Sequence, residues 1–139
     1  MRDEGLAWQL LGRTHGALGD EAAAEAAFTV AITMAKAAVQ QSGDGVQEIT
    51  ELQRIHGGLA TARSAIANRQ TDDRERGARY QRAAAALADK LALLEQLGKR
   101  QPLSKTMQAE LERLPGEIER LRSAADALSR GSHQAPQSR

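Results

Sequence analysis

Residues able to carry chemistry are few and scattered. The three histidines, His15, His56 and His133, are the candidates for proton transfer or metal ligation near neutral pH. No two of them stand at the helical spacing of a metal-binding pair, and His133 falls in a polar tail. The adjacent carboxylates Asp72 and Asp73 sit beside Arg74 and Arg76, so they read as a solvated charge cluster in a turn. There is no cysteine, which excludes disulfides and thiolate metal sites. Neither a G-x-S-x-G elbow, a phosphate-binding loop, an H-E-x-x-H pair nor a dinucleotide fingerprint occurs. The expectation is a protein that is not an enzyme and holds no metal or cofactor.

Charge and hydropathy argue against two further classes. The Arg-rich stretch 74–82 contains Glu75 and a single neighbouring aromatic, Tyr80, a weak pattern for nucleic acid. A net charge of +1 provides no overall field for nucleic acid or an anionic membrane. Met1-Arg2-Asp3-Glu4 leads into mixed residues without the apolar core of a signal peptide, and no apolar run is expected to span a membrane. Together with the lack of cysteine, this suits the cytoplasm.

What remains is a scaffold, and its elements are helical. Alanine is abundant, proline occurs three times, and Trp8, Phe28 and Tyr80 are the aromatics of a 139-residue chain. Little β-branched or aromatic content is left for strands. The expected fold is all-α, with five or six helices and no sheet. Leu6, Leu10, Leu11 and Leu18 form an apolar stripe on the first helix. Gly19-Asp20 is a turn: Gly19 ends that helix, Asp20 caps the next, and Glu21 suits its positive end. The second helix runs to Gln41 and stops at Ser42-Gly43-Asp44-Gly45. A third, from Val46 to about Asn68, carries Ile49, Leu52, Ile55, Leu59, Ala62 and Ile66 in steps of three and four. Gly57 and Gly58 inside it mark either a close helix contact or a kink.

Thr71 or Asp72 caps a fourth helix, which runs to Leu97 with Tyr80, Ala84, Leu87, Leu91 and Leu94 on one stripe. Gly98–Pro102 closes it. Ser104 then caps a C-terminal amphipathic helix, 104–130, with a stripe of Met107, Leu111, Leu114, Ile118, Leu121, Ala125 and Leu128. From Leu111 onward the spacing is heptad-like. Pro115 interrupts it and predicts a kink or a tight restart, since the stripe stays in phase. Residues 131–139 are polar and expected to be disordered.

One segment is more specific. It reads Trp8-x2-Leu11-Gly12-x2-His15, then Gly19, then Ala24-x3-Phe28-x2-Ala31. This resembles the tetratricopeptide repeat, W-x2-L-G-x2-Y…A-x3-F…P, in register, with His15 in place of Tyr and Lys36 where the closing Pro would stand. The resemblance implies antiparallel helical hairpins of the α-solenoid type. Gly12 then marks a helix crossing, Ala24, Ala27 and Ala31 form a small-residue face, and Phe28 plugs the hairpin opposite Trp8. His15 becomes a partly buried core residue. Residues 4–41 form the clear repeat. Residues 46–97 form a degenerate second one, in which Leu59, Ala62 and Ile66 echo Trp8, Leu11 and His15, and Tyr80-x2-Ala83 echoes Phe28-x2-Ala31. The amphipathic helix then caps the array. Leu91–Ser104 also resembles the closing turn of long tetratricopeptide regions that follow bacterial regulatory or kinase domains, which implies the C-terminal part of a larger regulatory protein.

The resemblance also implies a function: non-catalytic binding of a protein or peptide in a groove lined by the first helix of each repeat. Carried onto this chain, the groove positions are Leu6, Gln9, Arg13, Gly16 and Ala17, joined by Ser64 and Asn68 from the second repeat. Gln9 and Arg13 stand one turn apart on a shared face, and Arg13 suits a carboxylate held by two parallel hydrogen bonds. The alternative is an oligomerisation module, with the 111–128 heptads pairing between chains to form a homo-oligomer.

Overall fold

The computed structural model describes residues 2–134. These form five helices: α1 (Arg2–Leu18), α2 (Glu21–Gln41), α3 (Val46–Arg69), α4 (Asp73–Arg100) and α5 (Lys105–Gln134). No strand occurs among the described residues. The protein is all-α, as composition and periodicity predicted.

Short turns set the directions of the helices. At the end of α1, Gly19 adopts φ +83°. Its N–H donates to the Gly16 carbonyl at 3.1 Å and that of Asp20 to the His15 carbonyl at 2.9 Å, closing the helix with two of its orphan carbonyls satisfied. Asp20 then accepts from the Ala23 N–H and starts α2. Gly43, at φ +63°, ends α2 in the same way. Asp72 caps α4 by accepting from the Glu75 N–H at 2.9 Å, and Ser104 accepts from the Met107 N–H at 3.2 Å. Helices joined by such short links lie antiparallel.

Packing follows chain order, with one addition: α1 touches α3 as well as α2. Helices α3 and α5 each pack on α4 but not on each other, among the described residues. Phe28, buried to 1% exposure, centres the first core cluster with Ala31, Ile55, Leu59 and Ala62, and Trp8 packs at its edge. Ile49, Leu94, Leu97 and Leu114 form the second, extended by Met107 and Leu111. All six apolar positions expected on α3 are buried. The α5 stripe is used inside the chain, where Leu114, Ile118 and Ala125 are buried.

Glycines decide how closely α1 approaches its neighbours. A Cβ at Gly12 would lie 2.7 Å from the Phe28 ring, and one at Gly16 would lie 2.6 Å from the Ala62 Cβ. Gly58 leaves room for the other edge of Phe28. Of the two readings of Gly57-Gly58, close contact is the one found, within a continuous α3.

Three expectations need correction. The stripe Leu6, Leu10, Leu11 and Leu18 is not the buried face of α1; these residues are 53%, 66%, 44% and 68% exposed. The small residues Gly12 and Gly16, with Trp8 and Gln9, face inward instead, because two helices must fit against α1 at close range. Residues 131–134 continue α5 as helix, while 135–139 lie outside the described residues. Finally, α2 is long and apolar enough to cross a membrane, with a mean hydropathy of 1.4 over its most apolar window. Alanine and β-branched residues give it that value, and its Ala24, Ala27, Phe28, Ala31 and Ala35 are buried in the core. Helix α5 passes through Pro115 without a break, and Pro115 itself is exposed.

Candidate interaction groove

A trough runs where α1, α3 and α5 face one another above α4. It exists because α3 and α5 both rest on α4 without closing on each other. Its first compartment, about 560 Å³, lies between Arg13 and Ala17 of α1, Arg54 and Thr61 of α3, and Arg113 and Glu117 of α5. The second, about 670 Å³, is bounded by Ser64, Asn68, Tyr80, Arg120 and Leu121. Thr61, Ala65, Leu87 and Glu117 line both, so the two are continuous.

The floor is held by a charge pair that is largely withdrawn from water. Lys90 of α4 donates to the Glu110 carboxylate of α5 at 2.6 Å, and its ammonium lies over Gly57 of α3. A side chain at residue 57 would occupy that place. On the wall, Arg113 pairs with Glu117 at 2.6 Å, and the Tyr80 hydroxyl donates to the Asn68 side chain. Arg13 lies across Gly58, its Nε 3.4 Å from where a Cβ there would stand. Neither Arg13 nor Arg120 has an ion-pair partner among the described residues. Five cationic side chains line the trough against two acidic ones, Glu110 and Glu117. Its balance is therefore clearly positive although the chain as a whole is nearly neutral.

Arginines on the other side fix the spacing of the helices. Arg63 of α3 grips Glu25 of α2 through two bonds of 2.9 and 2.8 Å and reaches the Arg82 carbonyl of α4. Arg79 of α4 grips Glu21 of α2 in the same bidentate way, at 2.7 and 2.8 Å. That grip holds the Glu21 carboxyl below its ordinary range and keeps Arg79 charged throughout. His56 is buried nearby, and burial pushes its imidazole pKa down, opposed by Asp89 at 3.8 Å. His15 is half-buried at 3.9 Å from Asp20. No group of three His, Asp or Glu able to hold a metal occurs among the described residues.

Of the residues expected in the groove, Arg13, Ala17, Ser64 and Asn68 are there. Gly16 is buried against Ala62. Gln9 is also buried and donates to the Glu51 carboxylate at 3.0 Å. It faces a separate crevice of about 470 Å³ lined by Ala31, Met34, Ala35 and Ile55. Leu6 is exposed but lines neither compartment. Arg54, Lys90, Glu110, Arg113, Glu117 and Arg120 were missed. A signal for part of this existed: Arg54, Gly57, Thr61, Ser64 and Asn68 follow steps of three and four beside the core stripe of α3. Comparison with protein-family models, curated proteins and solved structures gives no match.

Proposed function

We propose that this chain is a non-catalytic, tetratricopeptide-type scaffold that holds an acidic peptide or partner segment in the α1–α3–α5 trough. The observation that carries the reading is the trough itself, open and lined by an excess of cations, with Arg13 and Arg120 unpaired among the described residues. Arginine offers a planar pair of N–H donors that matches a carboxylate in two parallel bonds. The tetratricopeptide reading is supported by how three of the signature residues pack, Trp8, Gly12 and Phe28, while a fourth, Leu11, is 44% exposed. Phe28 lies on Gly12 with Trp8 at the cluster edge, and α1 contacts both its own partner α2 and the next helix, α3. Oligomerisation through α5 is less favoured, because its apolar stripe is buried in the chain.

The experiment is a peptide array probed with the full chain, followed by titration of its best acidic sequences. Arg13→Ala should weaken binding by about tenfold, corresponding to roughly 1.4 kcal/mol, and leave the melting temperature close to the parent's. Affinity should fall with added salt, as exposed charges are screened. Equal binding by parent, Arg13→Ala and Arg120→Ala proteins refutes the reading. The absence of cysteine suits a cytoplasmic location, which imaging of the tagged native protein tests.

A further inference from the structure

Among the described residues, nothing covers the leucine face of α1. Leu6, Leu10, Leu11 and Leu18 together expose roughly 400 Å² of apolar side chain, about the size of the largest patch on an ordinary monomer. Scattered exposed leucines need no explanation, but these four share one side of a single helix. They stand opposite the inward face of Gly12 and Gly16.

We propose that this face pairs with the same face of a second copy, as an antiparallel two-fold dimer centred near Gly12. The pattern of large and small residues identifies the occupant. Viewed down α1, Ala7, Leu11 and Leu18 lie on one flank of the face, and Leu6, Leu10 and Ala17 on the other. A two-fold axis crossing α1 near Gly12 reverses the helix and brings like flank to like flank. Leu6 then meets Ala17 of the second copy, and Leu18 meets its Ala7. The two Leu10 side chains, and the two Leu11 side chains, approach one another beside the axis. Large meets small at both ends, which is the self-complementarity an isologous interface requires. The leucines of the two copies offer roughly 800 Å² between them and the flanking residues add to it, which places the interface at the small end for a specific one. The dimer is therefore weak and concentration-dependent.

The pairing does not depend on what the trough holds, but it has a consequence for it. Arg13 and Ala17 line the trough from the flank that carries Leu6 and Leu10. Because the axis keeps like flanks together, both troughs open on the same side and meet at the α1–α1 seam. Each Arg13 then stands beside that seam.

Sedimentation equilibrium of the full chain, from about 1 to 200 µM, should show the mass rising from 14.9 kDa towards twice that value. Leu10→Glu/Leu18→Glu should stay monomeric over the whole range with an unchanged far-ultraviolet spectrum, since both residues are exposed in the protomer. The chain has no cysteine, so single cysteines report the geometry. Leu11→Cys should be linked to its own copy by a short bis-maleimide. Leu18→Cys should not, because about 18 Å of helical rise separates the two copies of that residue. A parent that remains a monomer throughout overturns the proposal and leaves the face to a different protein. Dimerisation of the double variant equal to the parent's, or linking at Leu18→Cys in preference to Leu11→Cys, overturns it as well.

Discussion

Adding one methyl group at Gly12 should destabilise the protein only while Phe28 is present. The new Cβ would stand 2.7 Å from Cδ2 and Cε2 of the ring and 3.1 Å from Cγ. Carbon atoms prefer about 3.5–4.0 Å, so the ring must retreat by close to 1 Å. Phe28 is 1% exposed, and its opposite edge already faces α3 at Gly58. Overpacking of this kind costs about 1–3 kcal/mol. Against it stands the gain of up to about 1 kcal/mol for Ala over Gly inside a helix. Gly12→Ala alone should therefore destabilise by up to about 2 kcal/mol. Phe28→Ala alone should cost roughly 3–5 kcal/mol, the usual loss for a buried Phe. In that background the methyl meets no ring, and Gly12→Ala should become stabilising by up to about 1 kcal/mol. A double-mutant cycle on urea melts followed by circular dichroism measures the coupling, expected at about 1–3 kcal/mol. If Gly12→Ala has the same effect with and without the ring, the account of why glycine stands at this crossing is refuted.

Pro115→Ala should keep the fold and raise stability by up to about 3 kcal/mol, because it restores a donor for the Leu111 carbonyl inside the continuous α5. Unfolding of that variant, seen by circular dichroism, would show that the proline is needed. Acid should weaken the protein in two steps. His56 has its pKa lowered by burial, so the unfolded chain binds the proton first; stability is complete above about pH 6.5 and falls as pH drops below it. Glu21, lowered by Arg79, adds a loss below about pH 4.5. His56→Gln should flatten the first step in melts from pH 7.5 to 5, and an unchanged slope would remove His56 as its source. Glu110→Gln should destabilise by about 3 kcal/mol or more, because it leaves the Lys90 ammonium without its anion in a poorly solvated place. A melting temperature within a degree of the parent's would mean that Lys90 escapes to water.

The class of fold was legible in the sequence because it depends on local terms. Helical periodicity on α3 and α5, the caps Asp20, Asp72 and Ser104, and the stops at Gly19 and Gly43 all act within a few residues along the chain. Each was expected at or next to the position where it stands. The place of Phe28 in the first core, with Trp8 at its edge, was expected from the resemblance of that segment to a repeat signature and not from periodicity.

The inward face of α1 was not legible, and neither was most of the groove. Hydrophobicity favoured the leucines as the buried stripe. Tertiary structure placed Gly12 and Gly16 inward instead, because α2 and α3 must both approach α1 at a distance that only small residues allow. Gln9 was drawn inward with them, towards a partner 42 residues away, Glu51. Arg54, Glu110, Arg113 and Arg120 come together only through the angle at which α3 and α5 rest on α4, an outcome of packing between helices that no periodicity within one helix encodes. The sequence by itself determined which segments are helices and where most of them start and stop, since those are sums of short-range energies, although α4 runs on through Gly98 to Arg100 and α5 to Gln134. Only the tertiary structure decided which face of each helix is buried and which charges share a surface, since those depend on contacts between residues far apart in the chain.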